Sequence, residues 1–502
     1  MRRLLAGRLK GAAIAVAVFA CAGAWLSWNI TASPYQFHPD ERIKVRQMVQ
    51  REWNFKHPQL LLRGAEAANI GLSLGKGIER DNLQRVAKRG RFASAAFGAG
   101  AIVLLGLFAW RQRGWAVAVL ATLAVATGPN LVACAHYLKE DAALLLGVAA
   151  WLVAADAHLR RPTWRTIALL AIGGGLAASG KWVGVPFALA GAGLAIAWPP
   201  SGRRALAATL ALAGSAVVFL LINYPIFTST SDLIAGLRFE RQHVLAGRGD
   251  GLLYNTPLLI ARQLLGWPNG VFAALALVEA AALVRSTERR REAWRWLVPA
   301  TLLAFVAVLS LSSFFHPRHL LPAEVLLTWL AAGGAATLAA GLARRDWAKR
   351  VIAAALLVAP IVAQSITSVR FVGQLANDSR MQAARWLDRH AAGGSRVVVS
   401  HHAPLPGAAS LKIEGWPEGT TVANLAADGV GYVVLSDAWH ARFVDTFGTR
   451  VRPDAAGQVE AERRRLADLS QGHDLVWSFT NPEVRPRYGY ASPSLRIYQL
   501  SD

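Results

Sequence analysis

Two neighbouring carboxylates, Asp40 and Glu41, lie in the segment Phe37-His38-Pro39-Asp40-Glu41, directly after the first long apolar run of the chain. Ionisable groups at a bilayer surface are costly to desolvate, so they are functional candidates by default. Asp40 can act as a general base on an acceptor hydroxyl, with Glu41 orienting it or holding a cation. In the alternative interpretation Asp40 caps a helix and Glu41 lies in its first turn. The two interpretations are compatible.

A second acidic segment, Lys139-Glu140-Asp141, lies between two apolar runs with almost no loop. Asp141 either caps the helix that follows or faces the same outer cavity as Asp40, where it would contribute to a polar or metal-assisted site. Oxygen ligands suit hard divalent cations. If a metal binds, its expected ligands are Asp40, Glu41 and Asp141, although the sequence does not require a metal.

Two cations stand at the ends of later apolar runs. Lys181 follows Gly180, and Arg318 follows Pro317. A long basic side chain at a span end commonly extends toward the headgroups. The alternative is that Lys181 and Arg318 together neutralise a phosphate leaving group near the outer surface.

The composition is that of a membrane protein. Of the 502 residues, 54% are hydrophobic and only 17% are charged, with a mean hydropathy of +0.32. Soluble domains carry about 25% charged residues. The net charge of +23 would favour nucleic acid as the partner of a soluble protein. Here the arginines are concentrated in short loops between apolar runs, so they predict topology signals and contacts with anionic headgroups, not nucleic acid.

Apolar windows predict about eleven transmembrane helices. The expected spans are 11–30, 93–110, 115–134, 141–157, 166–180, 183–198, 205–222, 257–284, 296–314, 319–341 and 350–368. Every second loop is short and basic, which places the N-terminus in the cytoplasm and the C-terminus outside. The motif Ala22-Gly23-Ala24 resembles a signal-peptide cleavage site, but the apolar run continues to Ile30 and favours a retained helix. The cysteines, Cys21 and Cys134, both lie in apolar runs and are expected to be packing residues.

Two outer segments are longer than connectors. Residues 31–92 form the first outer loop, in which 41–53 has the pattern of a basic amphipathic helix lying in the headgroup region or, alternatively, of a solvated surface helix. Residues 370–502 follow the membrane domain, 1–369, and alternate predicted helices and strands. A helix from Asp378 to His390, strands at 396–400 and 431–436, and a closing strand pair at 474–480 and 494–500 predict a small extracytoplasmic α/β domain.

These segments, in this order, resemble the GT-C type of integral-membrane glycosyltransferase. The resemblance is closest to the dolichyl-phosphate-mannose-protein mannosyltransferase family and to the bacterial aminoarabinose transferases. It is carried by His38-Pro39-Asp40-Glu41, His57-Pro58-Gln59-Leu60, Arg91-Phe92-Ala93-Ser94, 136–142, Gly175 through Lys181 and Arg318-His319-Leu320-Leu321-Pro322. His319 stands where the family often has Tyr, and the chain lacks the large sugar-binding insertions of eukaryotic members.

The resemblance implies transfer of a sugar from a polyprenyl phosphate to an acceptor at the outer face of the cell membrane, with inversion. It makes Asp40 the base and Glu41 its support. It implies that Lys181, Arg318 and Arg91 bind the donor phosphate. It also implies a second polar site formed by Asp141, Lys139 and His57. The sugar, the acceptor (lipid, glycan or protein) and any divalent cation are left open by the sequence.

Other classes of membrane protein remain as alternatives. A transporter would place ionisable groups near mid-membrane, often in two related halves. The conspicuous charges of this chain fall instead at span ends, and no internal repeat is visible. A polymer ligase of envelope glycan assembly, or a sensor whose tail does the binding, would share the topology but would not depend on Asp40.

Overall fold

The computed structural model of the protein describes residues 2–75, 78, 81–247, 251–287, 292–342, 347–408, 410–417, 419–445, 447–481 and 491–500. The described part is a mostly helical bundle followed by a small domain built on a β-sheet. The bundle contains helices α1 Arg2–Ser27, α2 Pro39–Gln50, α3 Leu60–Leu72, α4 Leu83–Arg113, α5 Trp115–Ala126, α6 Pro129–His136, α7 Glu140–Arg160, α8 Trp164–Gly180, α9 Val185–Ala197, α10 Arg204–Ile222, α11 Thr230–Ala246, α12 Thr256–Leu265, α13 Asn269–Arg285, α14 Leu297–Ser310, α15 Leu321–Leu342 and α16 Trp347–Ala376.

Each of the eleven predicted spans coincides with a helix or with a bent pair of helices. Within the described residues, five helices are long and apolar enough to cross a bilayer, or seven if the bent pairs are counted as spans. The helices α8 and α9, with 17 and 13 residues, are shorter than the roughly 20 residues that a bilayer core requires.

The two bent pairs were predicted as single, straight spans, and the structure breaks each of them into two helices. The pair α5–α6 bends by 55° at Thr127-Gly128, and the pair α12–α13 bends by 88° between Leu265 and Asn269. Proline explains both breaks, because the residue before a proline is pushed out of the helical region. Pro129 is the first residue of α6, and Pro268 precedes α13.

The first outer loop is helical, but not as predicted. The helix α2 does not present an apolar face to headgroups, since Ile43 is exposed whereas Glu41 and Lys44 are buried together with Val45 and Met48. These buried positions repeat every three or four residues, so one face of α2 packs against the bundle and carries charge inward. The helix α4 begins at Leu83, ten residues before the predicted span.

Close backbone packing joins α7 to α8. A Cβ atom at Gly147 of α7 would lie 2.3 Å from the backbone nitrogen of Ala177, and one at Gly180 would lie 2.6 Å from Cα of Leu144. Glycine permits this approach because it has no side chain. The N-terminus of α7 and the C-terminus of α8 are consequently held side by side, which brings Asp141 next to Lys181.

The tail has the predicted α/β character. Its elements are β2 Arg396–Val399, β3 Lys412–Gly415, β4 Val430–Ser436, β5 Thr449–Val451, β6 Asp474–Phe479, β7 Leu495–Gln499 and helices α17 Ser379–His390, α18 Val422–Ala427, α19 Asp437–Val444 and α20 Ala456–Gly472. The five-stranded sheet has the order β3-β2-β4-β7-β6. The strands β2, β3 and β4 are parallel to one another, whereas β7 is antiparallel to both of its neighbours, β4 and β6. The strand β1, Leu252–Tyr254, lies between α11 and α12 and pairs with β5, so hydrogen bonds join the tail to the helical bundle.

Candidate active site

Five of the charged residues singled out in the sequence meet at one end of the bundle. They come from four separate links between helices: Asp40 from the start of α2, Lys139 and Asp141 from the α6–α7 link, Lys181 from the end of α8, and Arg318 from the turn before α15. Such a convergence of sequence-distant charges cannot arise from local capping alone, because each contact joins two different elements.

Asp40 is not the cap of α2. The cap is His38, whose Nδ1 accepts a hydrogen bond of 3.2 Å from the backbone N–H of Asp40. Burial lowers the pKa of His38 well below its usual value, which keeps Nδ1 free to accept. With the capping role filled, the Asp40 carboxylate is left to pair with the ammonium group of Lys139 and lies 3.9 Å from Nη2 of Arg318. It is one-third exposed.

The charges around Asp40 keep it ionised. Burial works to raise its pKa, but the positive charges of Lys139 and Arg318 outweigh burial and hold the pKa of Asp40 well below its ordinary range. A carboxylate with so low a pKa is a weak base as long as its cations stay in place.

Asp141 also pairs with a cation and does not cap its helix. Its Oδ1 lies 2.7 Å from Nζ of Lys181, and its Oδ2 lies 3.8 Å from Nε of Arg318. The N-terminal cap position of α7 is Lys139, which makes no side-chain capping bond. Arg318 therefore lies between two carboxylates, Asp40 and Asp141, and it retains partial exposure to the outside.

Glu140 and Lys44 belong to the same cluster, and sequence reasoning gave neither of them a site role. Glu140 is buried and contacts Nζ of Lys44 at 2.6 Å, Nε2 of His57 at 3.1 Å and Nζ of Lys139 at 3.1 Å. Burial, together with the nearby lysines, lowers the pKa of His57 to about 3, so its imidazole is neutral and donates to Glu140. The signal for Lys44 was its spacing, three residues after Glu41 on one face of α2.

Glu41 and Arg91 form a separate, fully buried pair. The guanidinium of Arg91 is bidentate to Glu41, with N···O distances of 2.8 and 2.7 Å, and its other donors go to backbone carbonyls of Ile30, Ser33 and Pro34. Glu41 also accepts from the backbone N–H of Leu138 at 2.8 Å. All five N–H groups of Arg91 are thereby used. Its geometry therefore favours holding the segment 30–41 against α4 over binding a donor phosphate.

The carboxylates that were expected to hold any metal do not share a centre, because each is paired with its own cation: Asp40 with Lys139, Glu41 with Arg91, and Asp141 with Lys181. Among the described residues no group of three or more His, Cys, Asp or Glu side chains has metal-binding geometry. As arranged here, the three carboxylates do not surround one common point at which a single cation would meet them all.

A cavity of about 360 Å³ opens beside the charged cluster. His57, Lys181 and Trp182 line one wall, and α11 supplies the other with Glu240 and Arg241 among apolar residues. Burial raises the pKa of Glu240 to about 7. A second cavity, of about 340 Å³ and almost wholly apolar, lies between α9 and α14, and Val183 lines both. Glu240 was missed because it lies within the long 223–256 segment and has no motif around it.

The whole arrangement, a helical bundle with a charged cluster at one end and an α/β domain beyond it, resembles solved structures of the GT-C fold. The structure of ArnT from Cupriavidus metallidurans bound to undecaprenyl phosphate matches with a TM-score of 0.53 at 14% identity, over 98% of each chain. The oligosaccharyltransferase of Archaeoglobus fulgidus matches with a TM-score of 0.49 at 12% identity, over 95% of this chain and 73% of the other. The Pmt1-Pmt2 protein O-mannosyltransferase complex of S. cerevisiae matches with 0.34 at 18% identity, over 49% and 36%.

The likeness to ArnT establishes the fold, and at this identity it establishes the fold alone. The predicted class, an α-helical polytopic membrane protein with a small C-terminal α/β domain, is thus confirmed. No protein-family model and no curated protein matches the sequence.

Proposed function

We propose that the protein is an integral-membrane glycosyltransferase that moves a sugar from a polyprenyl-phosphate donor to an acceptor hydroxyl at the outer face of the cell membrane. The observation that carries the proposal is the convergence of basic side chains at the cluster. Among the described residues, the cations Lys44, Lys139, Lys181 and Arg318 meet around the carboxylates Asp40, Glu140 and Asp141. Lys181 also lines the adjoining cavity, where it can bind a phosphodiester anion.

The neighbouring cavities fit the two parts of such a donor. The cavity beside Lys181 has polar groups for the sugar phosphate, and the apolar cavity that shares Val183 with it has the lining that an isoprenoid chain requires. The ArnT that shares this fold was crystallised with undecaprenyl phosphate. A donor that is held in the bilayer by its lipid can reach both cavities without leaving the membrane.

In the proposed reaction the acceptor oxygen attacks the anomeric carbon while Asp40 takes its proton. The bond from that carbon to the phosphate oxygen breaks, and polyprenyl phosphate leaves with the electron pair. Arg318 and Lys181 stabilise the phosphate as its charge increases. By the resemblance the configuration inverts, which requires Asp40 and the phosphate on opposite faces of the sugar. None of these steps uses a metal.

Donor binding would also activate the base. A bound phosphate adds a negative charge to the cluster and competes with Asp40 for Arg318, which lies between Asp40 and Asp141. Both effects raise the pKa of Asp40 from its lowered value and make it a stronger base, while Lys139 remains its main partner.

Asp40→Asn tests the proposal. We expect the purified variant to fold and bind donor but to consume a polyprenyl-phosphate sugar, chosen from a panel, at least about a hundredfold more slowly. Glu52→Gln, an exposed carboxylate of the same outer loop, is the matched control and should keep its turnover.

Two outcomes would contradict the proposal. Near-normal transfer by the Asp40→Asn protein would remove Asp40 from the mechanism. Uptake of a solute into vesicles without consumption of any lipid-linked sugar would favour a transporter, and joining of preassembled lipid-linked glycans alone would favour a polymer ligase.

A further inference from the structure

A buried ion pair of the tail contacts the segment that carries Asp40. Arg380, in the first turn of α17, is wholly buried and bidentate to Asp378, with two N···O distances of 2.8 Å. Its remaining amino group, Nη1, donates to the backbone carbonyl of Phe37 at 2.8 Å, and the guanidinium lies 3.8 Å from the centre of the Phe37 ring. Phe37 directly precedes His38, the cap of α2.

The pair is fixed to the tail as firmly as to the bundle. Asp378 accepts from the backbone N–H of Ser492 at 2.7 Å. Ser379 is also held in place, because its N–H donates to Oγ of Ser492 at 3.0 Å and its hydroxyl donates to the carbonyl of Pro493 at 2.6 Å. Residues 492 and 493 lead directly into β7, which pairs with β4 in the middle of the sheet. Arg380 thus links the central sheet of the tail to Phe37.

Ring packing next to Phe37 extends to the segment that carries Lys139, the partner of Asp40. The ring of His38 lies 4.7 Å from that of Tyr137, and Tyr137 lies against Phe371 of α16 at 6.3 Å. Asp40 comes three residues after Phe37, and Lys139 comes two residues after Tyr137. Asp40 and Lys139 therefore each follow closely after a residue of one packed group, which contains Phe37, His38 and Tyr137, and Arg380 contacts this group through Phe37.

We propose that Arg380 is a positioning residue, and that the tail is a fixed part of the active site which sets the place of Asp40 through the Phe37 carbonyl. This inference rests on the proposed function. A buried ion pair is weak support for stability, because apolar residues of similar volume often stabilise as well. What an apolar pair cannot supply is a directed hydrogen bond to one carbonyl.

Arg380→Met, with Arg380→Lys as the conservative variant, separates positioning from a merely structural role. Hydrogen exchange at the backbone amides of residues 38–41 is measured first, since it needs no turnover. We expect faster exchange there in Arg380→Met and partial restoration in Arg380→Lys. Arg385→Met, an exposed arginine one turn further along α17, should exchange as the parent protein does.

Kinetics provide the second readout. A displaced base should lower kcat by about tenfold to a hundredfold while leaving the KM for donor nearly unchanged. The acid limb of the pH profile should also move to higher pH, because an Asp40 further from Lys139 titrates closer to its ordinary value. The groups that face Asp40 are His38, Lys139, Glu140 and Arg318, and all of them remain in the variant.

Unchanged exchange at 38–41 together with an unmoved acid limb would overturn the inference. If Arg380→Met fails to fold, the same two measurements on Arg380→Lys decide, because that variant keeps the charge. Failure of the proposed function gives a different pattern, in which Asp40→Asn transfers normally and exchange at 38–41 still responds to Arg380.

Discussion

Asp40 and Glu41 are adjacent in sequence and opposite in environment. Asp40 is one-third exposed, whereas Glu41 is buried and saturated by Arg91 and the Leu138 amide. A partly exposed carboxylate can reach a substrate, and a saturated, buried one is suited to holding structure. The sequence predicted Asp40 as the base and Glu41 as its support, but it could not predict the buried pair of Glu41 with Arg91, because that depends on which face of α2 turns inward.

Glu41→Gln should therefore act on stability. Removing one partner of a buried ion pair leaves Arg91 charged and uncompensated, which costs about 3–5 kcal/mol. We expect a lower midpoint in thermal unfolding in detergent and a poor yield of folded protein, whereas Asp40→Asn keeps the parent midpoint. The double variant Glu41→Gln with Arg91→Met should recover part of the loss. A Glu41→Gln protein that unfolds as the parent does, yet has lost turnover, would assign Glu41 a direct catalytic role.

Glu240 predicts a pH dependence of donor binding. Because burial raises its pKa to about 7, Glu240 is largely neutral below pH 7 and ionised above it. The ionised form places a negative charge in the cavity proposed for the donor phosphate, so the KM for donor should rise as the pH increases through 7. Glu240→Gln should abolish that rise and leave the acid limb set by Asp40 in place. A KM that rises equally in both proteins would assign the titration to another group.

At the scale of elements, the links between helices carry the site and the glycines of α7 and α8 set its dimensions. The sequence located the four links correctly, because charges at the ends of apolar runs are conspicuous. It did not locate the bends in α5–α6 and α12–α13 or the inward face of α2. Hydropathy windows average over single residues, and single residues decide these features: Pro129 and Pro268 at the bends, and Lys44 on the inward face of α2.

Gly147→Ala tests the α7–α8 contact. The added Cβ would meet backbone at 2.3 Å, so the helices must separate, and overpacking of this kind costs about 1–3 kcal/mol. We expect a lower unfolding midpoint together with reduced turnover, since the Asp141–Lys181 pair is held by the same packing. Gly373→Ala on α16, an exposed position where a Cβ meets nothing within 4 Å, is the control. Equal stability of the two variants would show that α7 and α8 have room to adjust.

For the molecule as a whole, the order of basic loops predicted which links share a side, and the structure brings those links together in one cluster. That agreement concerns the arrangement of the links, whereas the direction of the chain across the membrane rests on the positive-inside rule. The tail's connection to the site was not predictable. The contact of Arg380 with Phe37 joins residues 343 positions apart, and neither has a local pattern that indicates the other.

The orientation of the chain across the membrane can be measured with single cysteines in a protein whose Cys21 and Cys134 have been replaced by alanine. Leu74 lies between α3 and α4 on the proposed outer side and is 91% exposed, and Arg161 lies in the exposed α7–α8 link on the proposed cytoplasmic side. A membrane-impermeant maleimide added to intact cells should label Leu74→Cys and should reach Arg161→Cys only after permeabilisation. Because Asp40 and Leu74 lie in the same segment between the first two predicted spans, the reverse pattern would put Asp40 and its cations on the cytoplasmic side and remove the basis for transfer at the outer face.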